Sequence, residues 1–136
     1  MKISETVRNI LEQDAKNVIL ATSSTEGAVD VAMFGSLRAY GEGGLELMLG
    51  DNRTWKNLQA NPYAACLITL HGTTGLGTQG CRLYLKLTAS IDDGEEVDAF
   101  RNELHKRIGA ASDMLKHLVR FQIVEARPIL DLGQGI

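Results

Sequence analysis

The segment LMLGDNRTWKNLQANPYAACLIT, from Leu47 to Thr69, predicts a strand, a turn, one short amphipathic helix and a second strand. The first strand alternates, with Leu45, Leu47 and Leu49 separated by polar or flexible side chains, which is typical of a strand buried on one face. The helix ends at Asn61-Pro62, because the residue before a proline is biased away from the helical conformation. Turn signals therefore separate the helix from the strand on either side of it.

The start of this helix carries an unusual charge pattern. Asp51 or Asn52 can cap the first turn, and Arg53, Thr54 and Lys56 follow at once. A helix start offers unpaired N–H groups and a partial positive charge, so it normally favours acidic side chains. Either the cations are solvated surface charge, or they bind an anion together with the helix start.

Composition limits the class of protein. The chain has 136 residues, of which 44% are hydrophobic and 23% charged, and this suits one soluble domain, residues 1–136, with its own core. Its net charge is -3 and its pI is about 5.6. Because a general nucleic-acid binder needs a basic face, we expect no nucleic-acid partner.

The spacing of the cysteines and the first residues of the chain indicate the cellular compartment of the protein. Cys66 and Cys81 lie far apart and form no Cys-x-x-Cys or Cys/His pattern, so we expect no metal site and two reduced thiols. The start MKISETVRNILEQDAKN has no apolar signal core, and no run approaches the roughly 18 apolar residues of a membrane span. We expect a cytoplasmic protein without a membrane partner.

The other segments predict mainly strands. Ser4 can cap a short helix, NVILATSS (17–24) and AVDVAMFGSLRAY (28–40) form a hairpin, and GTTGLGTQG (72–80) is a loop. The segment CRLYLKLTASI (81–91) alternates cleanly, with its leucines, Ala89 and Ile91 on one face. A helix is expected over 95–108 and a last strand around Val119 to Ile123. Six or seven strands in hairpin order favour an antiparallel barrel.

The order of ILATSSTEGAVDVAMFGS, LMLGDNRTWKNLQANPYAACLIT, a glycine loop and LYLKLTAS resembles the pyridoxamine 5'-phosphate oxidase-like FMN-binding split-barrel superfamily. The resemblance covers about Val18 to Ile91. It implies a mainly β fold, a six-stranded antiparallel Greek-key split β-barrel with short flanking helices. It further implies a homodimer with one FMN in each of two clefts at the subunit interface.

The resemblance also assigns cofactor-binding residues. It implies that the FMN phosphate is held at the helix start and that strand and loop residues lie along the flavin ring. Lys56 is either a further contact or an exposed charge, and the strand residues are otherwise plain core. The positions implied are Ala32, Met33, Phe34, Leu49, Gly50, Arg53, Thr54, Lys56, Gln79 and Arg82.

No catalytic group stands out in the sequence. His105 and His117 have no Ser or Cys partner at a readable spacing and are expected to be exposed or structural, while His71 opens the glycine loop and is the one histidine near the implied cleft. The end EARPILDLGQGI lacks the Arg and His motif of pyridoxamine-phosphate oxidases, so that activity is not expected.

Two functions fit this set of residues. One is an FMN electron carrier or small oxidoreductase with a redox partner or a small-molecule substrate. The other is a non-enzymatic binding or sensor module that holds a deazaflavin or haem on the same barrel.

Overall fold

One antiparallel sheet of seven strands, flanked by three α-helices, makes up the fold in the computed structural model, which describes residues 2–136. The strands are β1 Lys16–Ser23, β2 Val29–Met33, β3 Arg38–Tyr40, β4 Gly44–Leu49, β5 Tyr63–Leu70, β6 Gly80–Ile91 and β7 His117–Pro128. The helices are α1 Glu5–Glu12, α2 Arg53–Ala60 and α3 Glu95–Ile108, with short 3-10 turns at Gly75–Gly77 and Gly109–Met114. No helix in the described residues is both long and apolar enough to cross a membrane.

The strands lie in the order β2-β1-β5-β6-β7-β4-β3, and all neighbours are antiparallel. Four of the six pairings join strands that follow each other in sequence, as hairpin order predicts. The β1–β5 and β4–β7 pairings are formed between strands that are distant in sequence. β2 and β3 therefore lie at opposite edges of the sheet although only a short link separates them.

The strand count corrects the expected six strands to seven. The segment predicted as one strand over 28–40 is two strands, and they pair with different partners, β1 and β4. In the link, the Ser36 hydroxyl donates to the carbonyl of Met48 at 3.2 Å and accepts from its N–H at 3.0 Å. The Ser36 hydroxyl thus bonds both backbone groups of Met48 in β4. These groups therefore do not need a continuous neighbouring strand as their hydrogen-bond partner.

Strand β4 is buried on both faces, which corrects the expectation of a half-buried strand. Leu45, Leu47 and Leu49 enter the main core as predicted, at 0 to 1% exposure. Met48 on the other face packs in a second cluster with Val97, Phe100, Leu104 and Leu118. α3 supplies three of these residues, so this helix covers the β4 face that was expected to be exposed to solvent.

Glu46 is the charged residue on that covered face, at 4% exposure. Its carboxylate accepts from Arg38 Nε at 2.8 Å and from Arg120 Nε at 3.0 Å. The two guanidinium groups lie over the rings of Phe100 and Tyr40. A buried carboxylate is tolerated here because two cations and their hydrogen bonds compensate its lost hydration.

Helix bounds largely follow the sequence signals. Ser4 accepts from the N–H of Val7 and caps α1, whose apolar stripe joins the main core. α3 spans the predicted residues, but Ile108 at its end is half exposed and leaves the stripe. The apolar residues of β6 pack in two different clusters along the strand. Leu83 and Leu85 enter the main core, whereas Ile91 packs in the second cluster.

Cys66 and Cys81 are free and buried in neighbouring strands, as expected for reduced thiols. Burial raises the pKa of Cys66 to about 12, with a further rise from the nearby Cys81, and it raises the pKa of Cys81 to about 11. Burial therefore favours the protonated form of both thiols at neutral pH.

Candidate functional site

The start of α2 is capped by Asn52, one of the two residues expected there. The Asn52 side chain accepts from the N–H of Trp55 at 2.8 Å. The first turn contains no acidic residue. The N–H groups of Arg53 and Thr54 donate to no backbone or side-chain acceptor within residues 2–136. Both N–H groups thus lack a partner within the described chain, and of the two residues only Arg53 is exposed to solvent.

Arg53 extends from this turn into solvent, with 77% of its side chain exposed. Its described ionic partner is Asp30 of β2, and the Nη1–Oδ1 distance of 3.7 Å is longer than a hydrogen bond. Lys56, one turn further on, is exposed and forms no ion pair with a described residue. Arg53 and Lys56 are therefore two exposed cations near the start of α2.

Thr54 lies differently from its neighbour, because its side chain is buried at 2% exposure. It faces the sheet on which α2 is anchored. Asn57 donates to the Thr22 hydroxyl at 3.1 Å, and Asn61 donates to the Ser23 hydroxyl at 2.8 Å. Because this exposure covers the whole residue, neither the hydroxyl nor the backbone N–H of Thr54 is presented to solvent.

The β2 candidates alternate across the sheet. Ala32 is paired with Leu20 and Met33 with Ile19, so their side chains point to opposite faces. Val29, Val31 and Met33 form an outer row that is 83%, 69% and 64% exposed. We refer to these three residues as the outer apolar row. Such a row on an edge strand is unusual for an uncovered surface.

Phe34 continues β2 by donating its N–H to the carbonyl of Val18 at 2.9 Å. Its ring is half-buried against the main core. Together with Met33 it lines a cavity of about 310 Å³ that reaches Met48 and Leu104. The structure therefore brings Phe34 and Met33 together beside an open apolar space.

Leu49 and Gly50 lead into the α2 turn. Leu49 is fully buried, and its carbonyl accepts from the N–H of Lys116 at 2.9 Å. A Cβ added to Gly50 would lie 2.8 Å from the carbonyl oxygen of Met114. The close backbone approach expected at Gly50 is thus made within the chain, by the segment before β7.

Gln79 and His71 lie at the other end of the sheet. The carbonyl of Gln79 accepts from the N–H of Leu70, and the His71 ring bonds the Asn17 amide at 3.1 Å. Asn17 is the second residue of β1, whereas α2 is anchored at Thr22, about 17 Å further along the strand at 3.3 Å per residue. Within one chain, Gln79 and His71 do not reach the phosphate that Arg53 would bind.

Arg82 lies on the outer face of β6, in the same cross-strand row as Met33, Ile19 and Leu67. Its guanidinium donates to Asp131 at 2.6 Å and to the carbonyl of Pro128 at 3.1 Å. The hydrogen bond from Arg127, followed by the N–H of Gly133, holds the pKa of Asp131 far below its usual range. The segment after β7 therefore engages Arg82 within the chain.

One cluster was missed by the sequence reasoning. His117 is buried at 6% exposure, and its ring stacks on Trp55 of α2 with centroids 3.8 Å apart and planes within 9°. Its Nδ1 lies 2.7 Å from Asp92, and its Nε2 lies 2.6 Å from Asp51. The cluster members are distant in sequence, so no local motif could have found them.

Asp51 has a second cation, because Lys116 Nζ lies 3.1 Å from its other oxygen. The hydrogen bond with His117, followed by that with Lys116, lowers the pKa of Asp51. Asp51 therefore stays ionised to lower pH than an ordinary aspartate. It lies two residues before Arg53, at the entry to α2.

Comparisons with known proteins identify the fold. Neither a protein-family model nor a curated protein sequence matches the chain. The structure is similar to an FMN-binding protein from Syntrophomonas wolfei subsp. wolfei, with a TM-score of 0.75 and 22% identity over 93% of this chain and 90% of that one. It is also similar to an F420 reductase, with a TM-score of 0.71 and 17% identity over 91% and 98% of the two chains.

A third similar structure is HutZ, the heme storage protein from Vibrio cholerae, with a TM-score of 0.70 and 14% identity over 98% of this chain and 100% of that one. These likenesses span nearly the whole of each chain. The chain has the pyridoxamine 5'-phosphate oxidase-like split-barrel fold, the fold that the sequence resemblance implied.

Proposed function

We propose that the chain binds FMN without a covalent bond, with the phosphate at the start of α2, and acts as an electron carrier or small oxidoreductase. The observation that carries the proposal is the exposed Arg53, whose own N–H group has no partner in the described chain, on a helix start without an acidic residue. Proteins with this fold include flavin- and haem-binding ones, which agrees with a cofactor site on this sheet.

The donor set fits a phosphate group. A guanidinium can donate two parallel hydrogen bonds to phosphate oxygens, and the backbone N–H of Arg53 adds one more donor. Arg53 loses little on moving to the anion, because its contact with Asp30 is long and exposed. Lys56 adds charge from the next turn, where solvent screens it more strongly.

The ring has an apolar surface to lie on. Met33 and Phe34 border the cavity of about 310 Å³ near the end of β2, and aromatic and thioether side chains pack well against a flat heterocycle. The backbone of this strand supplies polar atoms for the ring edge. FMN, when bound, supplies the one- and two-electron redox chemistry, while these residues control access and polarity.

A second copy of the chain completes the proposed site. The outer apolar row lies beside a depression of about 230 Å³ lined by side chains such as Ile19, Ala21 and Leu67, and a two-fold contact would cover this surface. Gln79 lies at the other end of the sheet from the α2 start, so in this proposal it approaches the cofactor from the partner subunit. Arg82, on the outer face of β6, does the same. The protein is then a homodimer.

Haem and a deazaflavin are the alternative cofactors, because proteins of the same fold include a heme storage protein and an F420 reductase. Haem requires an axial ligand. His71 is exposed and its ring nitrogen bonds only an exposed amide, so it is the candidate ligand. This alternative predicts a non-enzymatic storage or sensor module.

The absorption spectrum of the purified protein, before and after addition of FMN, F420 or haemin, distinguishes these cofactors. Flavin bands that remain after gel filtration support the proposal. A Soret band lost in His71→Ala would support haem, whereas retention of F420 but not FMN would support the deazaflavin. Sedimentation of the FMN-loaded protein as a monomer at micromolar concentration would contradict the shared site.

A further inference from the structure

Another cavity lies between the start of β1, the β2–β3 link and the end of α3. Its volume is about 240 Å³, and its charged lining residues are Asp14, Lys16, Arg38 and Arg107. The rest of its lining consists of Gly35 and apolar side chains of α1, β1 and the link. Three of the four charged groups are basic, although the chain as a whole has a net charge of -3. We refer to this space as the charged cavity.

Lys16 is a half-buried cation in this cavity, at the first position of β1. Its Nζ donates to the backbone carbonyl of Gln13, and it forms no ion pair within residues 2–136. Burial is the largest cause that lowers the pKa of Lys16; Asp14 opposes this shift and Arg107 adds to it. Withdrawing an ammonium group from water without an anionic partner is unfavourable, so Lys16 would gain from an anion in the cavity.

Arg107 is the second cation without an anionic partner in the described chain. It lies in the last turn of α3, is exposed, and its guanidinium donates to no acceptor within residues 2–136. Arg38 differs from it, because Arg38 bonds the carboxylates of Glu46 and Glu103. The charge of Arg38 is therefore already compensated, whereas that of Arg107 is available to a ligand.

The charges that remain indicate the class of anion. Lys16 and Arg107 contribute two positive charges, and Asp14 contributes one negative charge. The sum of +1 is balanced by one carboxylate, whereas a phosphate dianion would leave an excess of negative charge. A guanidinium can donate two parallel hydrogen bonds to a carboxylate, and an ammonium group adds a compact charge.

The charged cavity borders the space proposed for the flavin ring. It shares Phe34, Gly35 and Arg107 with the cavity of about 310 Å³, whose other lining includes Met48 and Leu104. One side of this shared boundary is charged and the other is mainly apolar. A small molecule that fits both sides carries an anionic group on an apolar body, which is the usual division of a ligand site.

We propose that the charged cavity binds the carboxylate of a small-molecule substrate, with Lys16 and Arg107 as the specificity-determining residues. This inference rests on the proposed FMN site, because the body of the substrate then extends past Phe34 to the flavin ring. It deepens the proposed function by favouring a small oxidoreductase for organic carboxylates over an electron carrier.

The experiment uses benzoate, which joins a carboxylate to a flat apolar ring, and benzamide as its neutral isostere. NMR titration at neutral pH measures both dissociation constants in the FMN-free and the FMN-loaded protein. Benzoate should bind at least about tenfold more tightly than benzamide, because hydrogen bonds between charged groups are stronger than those to a neutral group. In the FMN-loaded protein, benzoate should also shift the flavin absorption bands.

Three variants locate the site. Lys16→Gln should weaken benzoate binding about tenfold, and Arg107→Gln about two- to fivefold, because Arg107 is more exposed. Lys106→Gln is the matched control, since Lys106 is an exposed base in the same last turn of α3 that does not line the cavity. Benzamide binding should not change in any variant. Should Lys16→Gln fail to fold, Arg107→Gln decides, because its exposed guanidinium has no acceptor in the described chain.

The outcomes separate this inference from the proposed function. Equal affinities for benzoate and benzamide, or equal losses in Arg107→Gln and Lys106→Gln, would overturn the inference while FMN binding stands. Benzoate binding that leaves the flavin bands unchanged would overturn it as well, because the ligand would then lie away from the ring. Absence of FMN binding would overturn the proposed function and, with it, the assignment of this cavity to a substrate, even if benzoate binds.

Discussion

The starts of α2 and α3 carry side chains of opposite charge at the positive end of the helix dipole. α3 carries three acids in its first turn and three basic residues in its last, so its own side chains complement the helix dipole. α2 carries no acid in its first turn and no base in its last, and Arg53 stands at its first position. The side chains of α3 therefore complement its own dipole, whereas those of α2 do not.

α2 nevertheless stays in place, because other contacts hold it. Leu58 is buried at 1% exposure, and Asn57 and Asn61 bond hydroxyls of β1. Its start is stabilised by Asn52 and by the stack of Trp55 on His117. A local electrostatic cost that the surrounding structure offsets is a frequent sign of a binding site.

Replacement of Arg53 by glutamate makes the α2 start resemble that of α3, and it should have the largest effect. FMN affinity should fall by about a hundredfold or more, because a charge-assisted contact of roughly 1.5–3 kcal/mol is lost and the new carboxylate repels the phosphate. Calorimetric titration measures this change. Arg8→Glu on α1 is the matched control, since Arg8 is an exposed arginine without an ion pair within the described chain. Equal loss in both variants would assign the effect to net charge.

The same substitution should not weaken the cofactor-free fold. An acid at the first turn of α2 favours the dipole by about 0.3–1 kcal/mol, although the nearby Asp30 opposes part of this gain. Thermal unfolding without FMN checks this expectation. A melting temperature several degrees below that of the wild type would indicate that Arg53 is a structural residue.

Lys56→Ala should have a smaller effect on FMN binding, about two- to fivefold. Its charge is exposed and one turn from the backbone N–H of Arg53, so screening reduces its interaction with a phosphate. The same titration, repeated at low and high salt, should show that most of this difference disappears with added salt. An effect as large as that of the Arg53 substitution would mean that Lys56 holds the phosphate directly.

Glu95→Ala tests the other helix and should have the smallest effect. Glu95 is an exposed acid at the start of α3 without an ion pair in the described part of the chain, so its loss should reduce the free energy of unfolding by about 0.3–1 kcal/mol. FMN affinity should not change. Denaturant unfolding and titration on one preparation measure both quantities, and a change in affinity would break the distinction between the two helices.

Local signals predicted most of the elements. The bounds of α3 follow from its apolar stripe and acidic first turn, the end of α2 from Asn61-Pro62, and the β1–β2 hairpin from the turn glycine Gly27. Arg53 stood out because its charge disagrees with its position on a helix. Such disagreements can be read from a single sequence, since they depend on neighbours only a few residues apart.

The remaining features depend on contacts between distant segments. The change of partner between β2 and β3 rests on Ser36 bonding Met48, and the burial of Glu46 rests on α3 covering β4. The enclosure of His117 joins Asp51 and Asp92, which no spacing rule connects. These features require the sheet order, which alternation alone does not determine.

The most direct test of the account compares FMN with riboflavin on the wild-type chain. Riboflavin has the same ring but no phosphate, so it lacks the anion that the side chain and backbone N–H of Arg53 are proposed to bind. The account predicts that riboflavin binds at least about tenfold more weakly than FMN in calorimetric titration, and that Arg53→Ala reduces this difference. Equal dissociation constants for the two compounds would contradict the claim that the start of α2 is the phosphate site.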